Sequence, residues 1–197
     1  MSPEEKLGLK EYRVVKRIRL FKEYRKYLDI PRVIYKPQDN IMFIENVSLQ
    51  DIEKGFHFDA GDNSMLIQIV DPDMDFPNPK HPFKEVRQFK FLDVENFGDI
   101  KFTDAIQDWQ ATAIAADLVF AKDNHMNVIV HCHAGICRSG AVVDCGIQLG
   151  FQDTGKFRMP NLMVKHKVLQ ALGLEFNPNE VQEGVNGKFT VSGIQYF

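Results

Sequence analysis

Ten residues constrain this chain more than any other stretch: His131-Cys132-His133-Ala134-Gly135-Ile136-Cys137-Arg138-Ser139-Gly140. A short apolar run, Val128-Ile129-Val130, leads in and reads as a buried strand. A second apolar run, Ala141-Val142-Val143 through Leu149, leads out and reads as a buried helix. A strand-loop-helix joint turns successive backbone N–H groups into one concavity, and the helix N-terminus adds positive potential. Such a concavity suits a phosphate-sized oxyanion. Its donors would be the N–H groups of His133, Ala134, Gly135, Ile136 and Cys137, with the planar fork of Arg138 beside them. Gly135 permits a positive φ or a close backbone approach at the bend.

A free thiol has a pKa near ~8.5, and a helix N-terminus with a cation beside it favours the thiolate. The cradle that holds an oxyanion would thus also ionise Cys132 and aim it at phosphorus. Ser139 directly follows the arginine, where a hydroxyl can hydrogen-bond the sulfur and ease its departure. The run resembles the active-site loop of the protein tyrosine and dual-specificity phosphatase superfamily: His-Cys, five residues to Arg, then Ser-Gly. Ala134 is also usual in the dual-specificity branch, whereas Cys137 stands where that branch commonly carries serine.

Other readings of the same residues exist. Other folds use a Cys-x5-Arg string for arsenate reduction or sulfur transfer. His131 and His133 alternate along a strand end, as metal ligands do. A metal needs further ligands at fitting positions, however, and would leave Gly135 and Arg138 without a purpose. No metal or cofactor is expected. Cys137 lies five residues from Cys132 and reads either as a small buried residue or as a disulfide partner under oxidation.

The resemblance implies phosphomonoester hydrolysis through a phosphocysteine on Cys132, with an aspartate upstream as proton donor. A positioned acid contributes about 10²–10⁴-fold to such a step. Asp93 ends a predicted strand after Phe-Leu, matching the family's Phe-Asp-Asp-like ending. Asp99 is the alternative acid, 33 residues from the cysteine against 39, and Glu95 stands behind both. His131 is expected to brace the loop through backbone bonds. Asn161 reads as a helix cap that could also orient water, and Lys101 as either a substrate contact or a solvated lysine.

Strands alternate with helices along the chain. Ile41–Ile44 and Ser64–Val70 read as strands, with a weak helix near 48–56 between them. Asp71 to Pro82 holds four prolines and reads as a loop with Asx-type turns. Its alternating aspartates lack the glycine and glutamate of a calcium loop. Glu85–Val94 reads as a third strand, and 103–121 as a long helix capped by Thr103. Ile106, Trp109, Ala113, Leu118 and Phe120 give that helix its apolar surface. Pro160-Asn161 opens a further helix to about Leu172, stopped by Gly173. Near 188–191 a short hairpin or ordered extension is expected. The sum is an α/β fold, a central mostly parallel sheet with helices on both faces. The loop sits at a strand's carboxyl end, where such sheets bind ligands. The resemblance spans about residues 40–175, within a catalytic domain over 38–197.

Charge sets the head of the chain apart. Residues 1–37 carry 11 Lys and Arg against 5 Asp and Glu; the remainder carries 13 against 22. Leu7, Val14, Ile18 and Phe21 put a basic amphipathic helix over 3–28, suited either to packing on the domain or to an acidic partner or nucleic acid. No run of about 18 apolar residues is present, so no membrane span is expected. Three cysteines argue for a reducing compartment, and the cytoplasm is the expected setting. The expected substrate is a phosphorylated protein or another phosphomonoester. Alternatives are an RNA 5′-phosphate, an inositol lipid, or a catalytically weak phosphate-binding module.

Overall fold

The computed structural model describes residues 41–94 and 104–177. The basic extension over 1–37, Glu95, Asp99, Lys101, Thr103 and the tail near 188–191 lie outside the described residues.

Five strands form one sheet: β1 (Phe43–Ser48), β2 (Ser64–Val70), β3 (Glu85–Lys90), β4 (Asn127–Cys132) and β5 (Gln152–Asp153), in the order β3-β2-β4-β1-β5. Every pairing among them is parallel. The helices are α1 (Leu49–Lys54), α2 (Asp108–Asp123), α3 (Arg138–Leu149) and α4 (Leu162–Leu172). The chain is therefore an α/β protein.

Burial decides which strands are central. Met65, Leu66, Ile67 and Ile69 of β2 are all 0% exposed. At roughly 1.5–3 kcal/mol per buried side chain, they outweigh a β-propensity scale that spans only about 1 kcal/mol. Alternation along the strands then divides the side chains between two cores. Ile44, Met65, Ile67, Ile69, Val128, Val130 and Cys132 face a large core completed by α2, α3 and α4. Phe43, Val47, Leu66 and Ile129 face a smaller one, closed by Ile52 of α1 together with Phe58, Ala60 and Phe83. Both faces are covered, but unequally.

Several boundaries differ from expectation. β1 begins at Phe43 and continues through Glu45 and Asn46, past the expected strand end at Ile44. Both are buried because both are bonded: Glu45 Oε2 accepts from Phe58 N, and Asn46 Nδ2 donates to two carbonyls. β3 ends at Lys90, not Val94. α2 begins at Asp108, and its N-cap is Gln107 rather than Thr103, with Gln110 Oε1 accepting from Gln107 N. Its buried face is Gln110, Ala111, Ile114, Ala115, Leu118 and Ala121, which turns Trp109 and Phe120 outward. Among the described residues, no helix is long and apolar enough to cross a membrane.

Candidate active site

Cys132 closes β4 and is 2% exposed. The loop that follows turns at Gly135, whose φ is 71°. A Cβ there would lie 2.4 Å from Val47 C and from Ser48 N, so the bend presses against the end of β1 and needs glycine on both counts. α3 then begins at Arg138.

Four carbonyls of this loop are held by hydrogen bonds. His133 O accepts from Leu49 N, and Gly135 O from Asn46 Nδ2 at 2.7 Å. Ile136 O accepts from Met159 N, and Cys137 O from Asn161 N and Ala141 N. Among the described residues, the N–H groups of Ala134, Gly135 and Ile136 donate to no protein acceptor. Ser139 Oγ lies 3.2 Å from Cys132 Sγ, buried, in the place expected for a hydroxyl that serves the sulfur.

Arg138 is 3% exposed and held at one tip. Its Nη1 donates to Phe91 O at 2.6 Å and lies 2.6 Å from Asp71 Oδ1. The contact with Asp71 is an ion pair without hydrogen-bond alignment, because Oδ1 is left with no directed donor. Arg138 Nε is buried and has no hydrogen-bond partner. The guanidinium thus keeps a donor that no protein group engages, and its planar fork suits a bidentate oxyanion.

Asp93 comes to the same neighbourhood through Asn161. The Asn161 amide donates to Asp93 Oδ1 at 2.8 Å and to Val94 O at 3.2 Å. Its Oδ1 accepts from Val164 N and so caps α4. One asparagine therefore caps a helix, bonds the reactive loop through its backbone N–H, and holds the candidate acid. Asp99 lies outside the described residues.

His131 does not make the ring bonds expected of it. It is 0% exposed, and neither ring nitrogen finds a hydrogen-bond partner. Burial pushes its pKa down to about 4, with Arg138 adding to the fall and a backbone contact at Cys132 opposing it. The ring is neutral and acts as packing beneath the loop.

The outer wall of the loop is stiffened by charge. Asp144 of α3 is 5% exposed and meets Arg158 Nε at 2.6 Å and Lys165 Nζ at 3.0 Å. Arg158 also forks onto both oxygens of Asp153. Burial alone would raise the Asp153 pKa; Arg158 and the Gly155 N–H hold it below the usual carboxylate range. This cluster fixes residues 153–161, the segment that binds the Ile136 and Cys137 carbonyls. Cys145 lies buried beside it, its thiol pushed up by burial and by Asp144. Cys132, Cys137 and Cys145 form no disulfide. Among the described residues, no group of three His, Cys, Asp or Glu is placed to hold a metal ion.

Sequence reading missed Asn46 and Asp71. Asn46 looked like loop polarity. Asp71 was read as a turn former; the turn there is made by backbone, Met74 N to Asp71 O, and the carboxylate instead meets Arg138. The available signal was position: Ser48, Asp71, Phe91 and Cys132 all stand at or just past the carboxyl ends of parallel strands. No family model and no curated protein matches the chain.

Proposed function

We propose that this chain is a phosphomonoester hydrolase of the protein tyrosine and dual-specificity phosphatase type, acting through a phosphocysteine on Cys132. The observation that carries the reading is the reactive loop itself. The carbonyls of His133, Gly135 and Ile136 are bonded to residues outside the loop, the N–H groups of Ala134, Gly135 and Ile136 donate to no protein acceptor among the described residues, and Ser139 Oγ lies 3.2 Å from Cys132 Sγ. N–H groups and a guanidinium stabilise the equatorial oxygens of a transferring phosphoryl group.

In the first step the Cys132 thiolate attacks phosphorus as the bond to the ester oxygen breaks. Asp93 gives that oxygen its proton, and the alcohol or phenol departs. In the second step water attacks the phosphocysteine, Asp93 takes the water's proton, and phosphate leaves. The sulfur departs as thiolate and receives a hydrogen bond from Ser139. The substrate is a phosphorylated side chain of a protein, the class that the resemblance favours.

The test is turnover of p-nitrophenyl phosphate by the wild type and by Cys132→Ser, with inorganic phosphate binding followed by calorimetry. The expected result is hydrolysis by the wild type and none above background by the variant, which still binds phosphate because its backbone cradle is intact. Retained turnover in Cys132→Ser would overturn the assignment. A panel of phosphopeptides, RNA 5′-phosphate and inositol phosphate then fixes the substrate class.

A further inference from the structure

Residues 154–160 carry their polarity the wrong way round. Burial alternates along this stretch: Thr154, Lys156, Arg158 and Pro160 are half-buried, while Gly155, Phe157 and Met159 are exposed. Two of the inward side chains are charged, and both are paired. Lys156 Nζ lies 3.3 Å from Glu45 Oε1 and 3.7 Å from Asp51 Oδ2. Arg158 meets Asp144 and Asp153. Its Cβ lies 2.8 Å from where a Cβ on Gly140 would sit, so it packs on the first turn of α3. The outward side chains are apolar: Phe157 is 40% exposed and Met159 42%. One exposed apolar side chain needs no explanation; two on the outer face of a segment that turns its charges inward do.

This segment runs along the reactive loop. Asn46 Nδ2 donates to Gly135 O at 2.7 Å and to Phe157 O at 3.0 Å, so one amide ties the two stretches together. Met159 N donates to Ile136 O, and Asn161 N to Cys137 O. Phe157, Met159 and Asn161 thus follow Gly135, Ile136 and Cys137 in order. An extended chain advances about 3.3–3.6 Å per residue. A phosphorylated side chain seated in the loop therefore brings its sequence neighbours within reach of Phe157 and Met159. Charge decides what kind of neighbour fits. An RNA or an inositol polyphosphate carries further phosphates and needs further cations to meet them. Lys156 and Arg158, the cations of this segment, are already paired with carboxylates. An uncharged side chain suits this wall, and an apolar one gains from it.

We propose that Phe157 and Met159 form a seat for an apolar side chain next to the phosphorylated residue of a protein substrate. This rests on the phosphatase reading above and deepens it, because it names what the enzyme reads besides the phosphate. The seat is fixed to the reactive loop through backbone bonds, so the apolar contact and the phosphate are held in one register.

The experiment uses the full chain and four peptides: phosphotyrosine or phosphothreonine, each flanked on both sides by leucines or by serines. In whichever pair is hydrolysed, wild type should favour the leucine-flanked peptide by about tenfold in kcat/KM, the low end of what an apolar pocket discriminates. The gain should lie in KM, as for a contact made equally in ground and transition states. Phe157→Ser combined with Met159→Ser should bring the ratio between the two peptides close to one. Each single variant should lower it part-way, and the singles serve if the double variant does not fold. A wild type without the leucine preference, or a folded double variant that keeps it, overturns the proposal. Hydrolysis of p-nitrophenyl phosphate but of none of the four peptides also overturns it and leaves the phosphatase reading standing. A wild type that hydrolyses neither the ester nor any peptide defeats the phosphatase reading itself, and this proposal with it.

Discussion

Gly135 shows how much one missing side chain can decide. Gly61 and Gly135 have similar φ values, 68° and 71°, but only Gly135 lies against backbone. Gly61→Ala should therefore cost only the left-handed penalty, about 1–2 kcal/mol. Gly135→Ala should cost clearly more, and should lose activity too, because the Val47–Ser48 backbone cannot step aside like a side-chain end. Urea denaturation of both variants gives the comparison, and equal costs would remove the close approach from the account. The need for glycine at 135 was legible in the sequence, since a loop between a strand and a helix must bend. Asn46 was not legible in the same way. A polar residue at a strand end reads as surface until its two acceptors, 89 and 111 residues further on, are known.

At the scale of elements, α4 is legible in the sequence because its stop and start signals are local. Asn161 caps it and Gly173 ends it, both as expected. The further task of Asn161, bonding Asp93, is a contact across 68 residues and leaves no local trace. Asn161→Ser separates the two tasks, because serine caps well but is too short to replace the amide. The variant should keep its helix, seen as little change in far-ultraviolet circular dichroism. It should lose rate on phenyl phosphate more than on p-nitrophenyl phosphate, whose leaving oxygen needs less proton help. Equal losses on both esters would mean that the bond does not orient the acid. β3 and α2 were read too long at the ends facing each other, because both runs are apolar enough to continue. The chain leaves β3 after Lys90, where Phe91 O turns to Arg138 and Leu92 N to Asp104 O.

For the molecule as a whole, His131 links acidity to stability. Its folded pKa is about 4, against 6.5 for an ordinary histidine. Between those values the unfolded chain binds the proton and the native state does not, so stability is full above about pH 6.5 and declines as pH falls toward 4. The full effect is about 3 kcal/mol. Asp153, held below its usual value of 3.8, adds its own loss only at lower pH, so the two windows are distinct. His131→Gln should flatten the decline between pH 6.5 and 4 in thermal unfolding; an unaltered slope would assign that decline to other groups. The fold class was readable because strand and helix periods alternate along the chain. The pairing order was not, because it is fixed by crossovers that no local pattern encodes. That order has a consequence for what can be divided. The reactive loop contains Cys132, the proposed nucleophile, yet its shape is borrowed from Asn46, Leu49, Met159 and Asn161, on either side of it in the chain. A cut anywhere between Asn46 and Asn161 separates Cys132 from at least one of those supports. The loop's geometry is thus indivisible: it belongs to the whole sheet with its supports from both sides of the chain, and no proteolytic piece short of that keeps it.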